Sequence, residues 1–337
     1  MVEIKLLLLI LLLLIFIIWF LWPESGLYAI IKKSKLNKER ILLEDALKYI
    51  FDCEYKDIAC YIDNIAKNLD INEGTARDLL VKLVKMNLVK GSIEPVELTT
   101  QGKEYAVRII RIHRIWERYL ADETGVNEVE WHREADKIEH FISPDKANVI
   151  ASRIGNPVYD PHGDPIPTEK GEIPVYKGKP LCEFEEGDNL VVTHVEDEPN
   201  IIYTQLVAMG IFPGMEIYIM EKDDATIRIL VEGNEQILTN LIAGSITVIP
   251  AKKEVKQDRY DRLSDLKIGE TAEIIGISPA SRGLERRRFM DLGIVPGTKI
   301  TPLLVSPGGD PIAYDILDTE IAFRRNQAEK ILVKRIA

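Results

Sequence analysis

Between positions 113 and 140, six side chains of metal-ligand type recur at helical spacings. His113 and Glu117 are four residues apart and therefore share one face of a predicted helix. A second predicted helix carries the others on one side: His132, Asp136, Glu139 and His140. Acid–histidine pairs on solvated helix faces are the structural alternative. The predicted domain 111–170 carries four of the chain's five histidines, however, so this spacing favours a divalent-metal pocket between two helices.

Length and composition limit the class of protein. A chain of 337 residues predicts two to four domains, and 46% hydrophobic with 29% charged residues describes a globular protein. The net charge of −11 argues against simple nucleic-acid binding, which favours a basic surface. Cys53, Cys60 and Cys182 lack CxxC spacing, so we expect reduced thiols on the cytoplasmic side rather than disulfides or a zinc site.

The N-terminal segment has the composition of a membrane anchor. Leu6–Trp22 contains no charged side chain, and the segment 1–23 is just long enough to cross a bilayer. A cleaved signal peptide is disfavoured by the long apolar run and the missing cleavage site. One lysine precedes the run, whereas a basic linker, 24–40, follows it with Lys32, Lys33, Lys35, Lys38 and Arg40. This asymmetry predicts a single-pass protein of the inner or plasma membrane, with its bulk in the cytoplasm.

Residues 41–110 are predicted to form a winged helix-turn-helix. Apolar spacing indicates a helix over Leu42–Ile50, and Asp63 is the predicted N-cap of a short helix that ends near Leu69. Asn72 is predicted to cap a longer helix that ends near Met86. Two wing strands follow at 88–90 and 96–98, and a third helix follows 100–102. Two short helices followed by a hairpin are typical of this fold.

The second helix of such a fold enters the DNA major groove, and its candidate contact residues here are Thr75, Arg77 and Lys82. The charge of the region opposes this function, because residues 41–110 hold 9 Lys and Arg against 12 Asp and Glu. Asp78 lies where it would repel phosphate. DNA binding is favoured over a purely structural or protein-binding winged helix, and the second reading stays open.

These motifs together resemble the diphtheria toxin repressor family of iron- and manganese-dependent transcriptional regulators. The resemblance runs from about Leu42 to Pro167 and includes the loop Asn156–Pro167, with the sequence NPVYDPHGDPIP. It implies a helical metal-binding and dimerisation domain, 111–170, a homodimer, and binding of double-stranded DNA that metal promotes.

The resemblance also implies a role for each candidate ligand. The ancillary site corresponds to His113, Glu117 and His132, and the primary site to Asp136, Glu139 and His140, with Asp45 supplied by the winged domain. Members of the iron-regulated branch often have Met and Cys where this chain has Asp45 and Asp136. Hard oxygen ligands favour Mn²⁺ or Fe²⁺. Lys48 stands where some manganese-sensing members have an acid, which argues against a binuclear manganese site of that kind.

The C-terminal half contains an internal repeat. The segment 205–214 matches 288–297, about 83 residues later, and short strands surround each copy. We predict two small SH3-like β-barrels, 180–250 and 262–337, joined by a linker at 251–261. The second copy resembles the ferrous-iron-transport protein A (FeoA) domain. The first resembles the third domain of the repressor family, which can lend oxygen ligands to the ancillary metal, and Glu198 is the nearest candidate.

The predicted fold class is therefore α+β multidomain: a transmembrane helix, a winged helix-turn-helix, a helical metal-binding domain and two small SH3-like barrels. The sequence contains no evident nucleophile–base pair, so we do not predict an enzyme. The predicted function is a membrane-anchored Mn/Fe-dependent transcriptional regulator. The alternative is a membrane-tethered metal sensor that binds no DNA and regulates a ferrous-iron transporter through its FeoA-like domains.

Overall fold

The computed structural model describes Trp19 and residues 27–91, 94–175, 178–251 and 261–336. The chain divides into two compact units, one ending at Ile110 and the other running from Arg111 to Ala337. The boundary falls inside one long helix, Thr100–Glu123.

The predicted membrane anchor, Leu6–Trp22, lies outside the described residues except for Trp19. Over the part of the chain that is described, no helix is both long enough and apolar enough to cross a bilayer. The first described helix, α1 (Leu27–Tyr55), is rich in Lys and Arg. The predicted single-pass membrane localisation is contradicted by this finding, and the segment 24–40, predicted as a linker, is helical from Leu27 onward.

The first unit contains α1, α2 (Ile62–Asn68), α3 (Glu73–Lys85) and the start of α4 (Thr100–Glu123). Its core is apolar and includes Leu47, Ile65, Leu83 and Leu98. The Asn72 side chain caps α3 by accepting a hydrogen bond from the Thr75 amide at 2.9 Å. The predicted Asp63 cap is wrong, because α2 begins at Ile62 after Tyr61. Asp63 lies in the first turn, where its charge favours the helix dipole.

The wing between α3 and α4 is a short hairpin rather than two full strands. Val89 and Leu98 form a single antiparallel bridge, and the Lys90 amide donates to the Glu97 carbonyl at 2.8 Å. The hairpin closes against α4 at Gly102, where an added Cβ would lie 2.0 Å from the Leu88 carbonyl oxygen. A side chain at this position would therefore push the wing away from the helix.

The helical part of the second unit comprises the rest of α4, α5 (Trp131–Glu139) and α6 (Pro144–Arg153). Ser143 caps α6 by accepting from the Lys146 amide, with proline in the first turn as helix starts favour. A small apolar core of Ile112, Ile115, Ile142 and Ala147 holds α4 against α6. The face of α4 that carries His113 and Glu117 is thereby fixed in place.

The rest of the second unit is two antiparallel sheets of six strands each. The first contains β1 (Lys179–Pro180), β2 (Asn189–Val195), β3 (Glu216–Lys222), β4 (Thr226–Val231), β5 (Asn234–Thr239) and β6 (Ile246–Pro250). The second contains β7 (Asp261–Arg262), β8 (Ala272–Ile277), β9 (Lys299–Val305), β10 (Ile312–Ile316), β11 (Thr319–Phe323) and β12 (Ile331–Arg335). Short helices accompany them: α7 (Asn200–Ala208), α8 (Asn240–Gly244), α9 (Gly283–Asp291) and α10 (Arg325–Ala328).

Among the described strands, neither sheet closes into a barrel. The strand orders are β1-β6-β2-β3-β4-β5 and β11-β10-β9-β8-β12-β7, so each sheet keeps two unpaired edges. The outermost strands β1 and β7 have only two residues each, which is too short to pair with the far edge. The prediction of closed SH3-like barrels is therefore corrected to two open antiparallel sheets.

The internal repeat is confirmed in three dimensions, because α7 and α9 end in the same way. Gly210 and Gly293 follow the two helices with φ of 68° and 85°, a conformation that favours glycine. The next amide closes each helix end: Ile211 donates to Leu206 at 3.0 Å, and Ile294 donates to Phe289 at 2.9 Å. Both isoleucines are then fully buried in their cores.

Candidate metal centre

Helices α4 and α5 carry most of the predicted ligands on one buried surface. His113 and Glu117 lie one turn apart on α4 and are 4% and 1% exposed. On α5, Glu139 is also buried, and His132 and Asp136 are half-buried. His140 caps the end of α5 and is buried. The helical spacing thus brings imidazole and carboxylate groups together away from water.

His113 is at the centre of this arrangement. Its Nδ1 lies 2.5 Å from Glu139 Oε2 and 3.3 Å from Asp136 Oδ1. Its Nε2 lies 3.1 Å from Glu117 Oε1 and 3.2 Å from His132 Nδ1. One imidazole therefore links residues that the sequence divided between an ancillary and a primary site.

The first group of candidate ligands within the unit is His113, His132 and Asp136, whose ligand atoms lie within 4.8 Å of one another. Burial by itself would lower the pKa of His132. Hydrogen bonds with Asp197, Glu117 and Glu198 outweigh burial and raise that pKa well above its usual value. The predicted ligand Glu198 is exposed, and its Oε1 lies 3.3 Å from His132 Nε2.

A second group includes two residues that the sequence did not identify as ligands. Glu117, His162 and Asp197 also place one ligand atom each within 4.8 Å of one another. His162 Nε2 lies 3.7 Å from Glu117 Oε1 and 3.9 Å from Asp197 Oδ2. These gaps are too long for hydrogen bonds. They are within a small side-chain adjustment of the about 3.0–3.5 Å that separates two ligands bound to one ion at about 2.1 Å.

The environment of His162 supports this interpretation. Its side chain is fully buried, and in the described part of the chain neither ring nitrogen has a hydrogen-bond partner. A buried polar group without a partner is unfavourable and calls for an unseen partner such as a water or an ion. Because the neighbouring groups at this position are carboxylates, a divalent cation suits the donor set.

Local structure explains how His162 reaches the site. Asp160 Oδ1 accepts the amides of His162, Gly163 and Asp164, each at 2.9 Å, which folds the loop into a tight turn. The His162 carbonyl accepts from the Val195 amide at 2.9 Å, which fixes the loop to β2. In the sequence this segment was recognised only as a family signature. The missed signal was a histidine inside that signature.

Arg114 anchors the same loop to α4. Its guanidinium donates to the Pro165 carbonyl at 2.7 Å and lies 3.4 Å from Asp164 Oδ1. Burial would raise the pKa of Asp164, but Arg114 and His194 lower it well below its usual value. Burial would likewise raise the pKa of Glu117, but His113 and His132 lower it. Both carboxylates are thereby kept ionised.

Two predicted ligands lie at the end of α5. His140 Nε2 is 3.7 Å from Glu139 Oε1, and both side chains are buried. Asp45 lies on α1 in the first unit. Its assignment to the primary site stays a prediction.

The predicted DNA-contacting residues lie on α3. The Thr75 hydroxyl lies 3.2 Å from Asn72 Oδ1 and belongs to the helix cap. Arg77 is exposed and pairs with Glu73 at 3.7 Å, and Lys82 is exposed and pairs with Glu39. The surface of α3 therefore carries both signs of charge, and its role in DNA binding stays a prediction.

Comparison with family models assigns most of the second unit. Residues 99–168 match the model described as "Iron dependent repressor, metal binding and dimerisation domain". Residues 179–250 and 262–335 each match the FeoA domain. Both predicted resemblances are confirmed.

Comparison with individual proteins agrees with the family-model matches. The chain is 27% identical over 205 residues to the iron-dependent repressor IdeR of Mycobacterium leprae, spanning 57% of this chain and 89% of that protein. It is 38% identical over 76 residues to an Fe(2+) transport protein A/FeoB fusion protein of Porphyromonas gingivalis, spanning 23% of this chain and 9% of that protein.

A solved manganese-dependent transcriptional repressor in complex with manganese superposes with a TM-score of 0.56 at 25% identity, over 62% of this chain and 99% of that one. The chain is therefore a homologue of the iron-dependent repressors that carries their metal-binding and dimerisation domain followed by FeoA domains.

Proposed function

We propose that the protein is a metal-dependent transcriptional regulator in which Mn²⁺ or Fe²⁺ promotes DNA binding by a homodimer. The observation that carries the proposal is the convergence of buried imidazoles and carboxylates in the second unit, with Glu117 in contact with His113 and His132 and facing His162. Similarity to an iron-dependent repressor and to a manganese-dependent transcriptional repressor supports the link from metal to transcription.

The donor set supports a divalent cation of intermediate hardness. The two ligand groups of the second unit provide three imidazoles and three carboxylates, and none of these six residues is a cysteine. Oxygen and imidazole ligands suit Mn²⁺ and Fe²⁺ rather than soft thiophilic ions. The solved relative with manganese bound agrees with this choice.

A bound cation would neutralise a surplus of acid. Glu117, Asp136, Glu139 and Asp197 all lie within 4 Å of a histidine nitrogen of the cluster. Carboxylates at such separations repel one another unless a positive charge lies among them. Asp197 follows β2, whereas Glu117 belongs to α4, so ligands from both would fix the first FeoA sheet to the helical part.

We propose that Asp45 supplies the link to the winged domain, together with Glu139 and His140. This role follows from the resemblance to the repressor family. An ion bound jointly by these side chains would favour one orientation of the DNA-binding unit over others, so it would act by shifting a population. The change in the equilibrium between orientations is then set by the ratio of the ion's affinities for that orientation and for the others.

The alternative is a metal sensor that binds no DNA and acts on a metal transporter through its FeoA domains. One observation favours it: the candidate DNA-contacting residues Arg77 and Lys82 are each paired with an acid. The similarity to a protein that fuses FeoA to an iron transporter is consistent with it.

Selection from a random DNA pool separates the two functions. The full-length chain would be incubated with the pool in chelated buffer, with Mn²⁺ and with Fe²⁺ under anaerobic conditions. A regulator enriches a defined, two-fold symmetric sequence only with metal. A chain that binds metal and enriches no sequence supports the alternative.

A further inference from the structure

A cavity of about 620 Å³ lies inside the second unit, on the side of α4 that faces the second FeoA domain. Its walls come from α4 (Arg118), β2 (Val192), β6 (Ile249) and the start of α9 (Arg282 and Arg286). The helical part, the first sheet and the second FeoA domain therefore all contribute residues to the cavity wall. The volume is that of a small-molecule pocket.

Two guanidinium groups at this cavity lack an acidic partner. Within the described residues, no carboxylate lies at ion-pair distance from Arg282 or Arg286. Arg282 donates to the carbonyls of Pro161 at 2.7 Å and Pro279 at 3.3 Å. Arg286 donates to the carbonyl of Ile277 at 3.1 Å and to others of the same turn. Carbonyls satisfy donors but do not neutralise charge, and a secluded charge without a counter-ion is unfavourable.

The surroundings of Arg282 strengthen the point. Burial lowers the pKa of its guanidinium, and the neighbouring positive charge of Arg118 lowers it further. Tyr203, Glu128 and Asp122 act in the opposite direction. Arg118 itself pairs with Asp122 at 2.7 Å, so this carboxylate is already engaged.

The other acid of the wall, Asp160, is only partly engaged. Its Oδ1 accepts three backbone amides of its own loop, whereas its Oδ2 is buried without a hydrogen-bond partner among the described residues. Burial raises the pKa of this carboxyl well above its usual value, which favours its neutral form. The helix α9 begins at the cavity with no side-chain cap, and its dipole favours an anion there. The one acid of its first turn, Glu285, pairs with Lys330 at 2.8 Å.

The rest of the wall is mainly apolar, with the hydroxyl-bearing Thr193 and Ser281 as exceptions. Val192, Pro213 and Ile249 contribute carbon surface, and Tyr159 adds an aromatic ring. Such a surface does not select a bare inorganic ion. It suits a ligand whose charged head meets the arginines and whose apolar body covers the remaining wall.

We propose that this cavity is a binding site for a small organic anion, with a phosphate or carboxylate head held by Arg282 and Arg286. Each guanidinium has five N–H donors, and the carbonyl partners use only some of them. The phosphate or carboxylate head would accept hydrogen bonds from the remaining donors. The ligand would bind across the junction between the repressor-like part and the second FeoA domain. The site is separate from the metal centre in its ligands and does not depend on DNA binding.

Calorimetric titration of the full-length chain in metal-depleted buffer tests the site. Phenyl phosphate and benzoate are the probes, because they differ in head and share an apolar ring. Benzyl alcohol is the neutral counterpart, and inorganic phosphate lacks the ring. Arg282→Gln and Arg286→Gln remove the charges, and Arg288→Gln on the exposed face of α9 is the matched control. A melting curve for each variant checks that it folds.

We expect saturable binding of at least one probe, weakened about tenfold or more in Arg282→Gln and in Arg286→Gln and unchanged in Arg288→Gln. The stronger of the two probes identifies the head group. Arg286→Lys keeps the charge and should retain part of the affinity. The proposal is overturned if neither probe binds, if both glutamine variants bind like the wild type, or if benzyl alcohol or inorganic phosphate binds as tightly as the stronger probe.

Discussion

His162 Nε2 faces Glu117 Oε1 across 3.7 Å, in a fully buried position where the imidazole has no hydrogen-bond partner among the described residues. The two residues come from different elements, a loop tied to β2 and the helix α4. Asp197 closes the third side at 3.9 Å from the same nitrogen. A cation at this position would satisfy all three groups at once.

His162→Gln tests that assignment. Glutamine keeps a polar side chain of similar reach but is a poor ligand, so Mn²⁺ affinity at one site should fall about tenfold or more. Equilibrium dialysis with metal analysis measures both stoichiometry and affinity. His194→Gln is the control, because His194 faces Asp164 at 3.6 Å and belongs to neither ligand group. Equal binding by both variants and the wild type would remove His162 from the metal centre.

Glu139→Ala and His140→Ala should each weaken binding at the predicted primary site about tenfold or more, because each removes a direct ligand. His113→Ala should affect more than one site, since its two nitrogens contact Glu139 and Glu117. Calorimetry with Mn²⁺ resolves the sites by their affinities. A His113→Ala protein in which only one class of site changes would contradict the central position of this imidazole.

Gly163→Ala should destabilise the folded chain. Gly163 has φ of 100°, and an added Cβ would lie 2.0 Å from the Thr193 carbonyl oxygen in β2. The strain and the displaced loop together should lower the free energy of unfolding by about 1–3 kcal/mol or more. Gly187→Ala is the control, because Gly187 has φ of 91° and nothing within 4 Å of the new Cβ. Denaturant unfolding measures the loss of unfolding free energy in both variants, and the difference between them is the contribution of the steric clash. Equal losses would show that the clash contributes nothing.

The second FeoA domain should lose stability at alkaline pH through Tyr314. Burial, and then the charge of Asp310, raise the pKa of this phenol to about 12. The unfolded phenol ionises near pH 10. Because the folded pKa is the higher one, the stabilisation is complete below about pH 10 and is lost between about pH 10 and 12. Tyr314→Phe should flatten the fall in melting temperature over this range, and an unchanged pH profile would exclude Tyr314 as its cause.

Local signals predicted much of the fold. The Asn72 cap, the helical face shared by His113 and Glu117 and the repeated helix–glycine ends at Gly210 and Gly293 all depend on near neighbours in the chain. The predicted Asp63 cap was wrong because the helix begins one residue earlier, at Ile62. Closed barrels were wrongly predicted because closure requires the two edge strands of a sheet to pair. The sequences of short strands do not indicate whether such distant strands pair.

Two of the six residues in the ligand groups of the second unit, His162 and Asp197, were beyond sequence reasoning for the same reason. Asp197 reaches Glu117 and His162 only because β2 pairs with the loop that carries His162. The spacing of these residues along the chain does not indicate that they lie close together in the fold. Glu198, the predicted ligand, lies 3.3 Å from His132 and is the residue next to Asp197, and its role as a ligand stays a prediction.

The proposed link between metal and DNA depends on Asp45 and on the surface of α3. Asp45→Asn should leave metal bound at the ligand groups of the second unit but abolish the metal dependence of DNA binding. Arg77→Ala should weaken DNA binding with and without metal, because it removes a cation from the α3 surface. Folding should be retained in both, since a surface charge contributes about 1 kcal/mol or less. Metal-dependent binding by Asp45→Asn equal to that of the wild type would contradict the coupling.

Fluorescence anisotropy of a selected DNA duplex, titrated with the full-length chain at increasing Mn²⁺, tests the central claim most directly. The account predicts that DNA affinity rises at least tenfold over the range in which the metal sites fill, and that Asp45→Asn removes the rise. DNA affinity that stays constant from chelated buffer to saturating metal, in a chain shown to bind that metal, would contradict it.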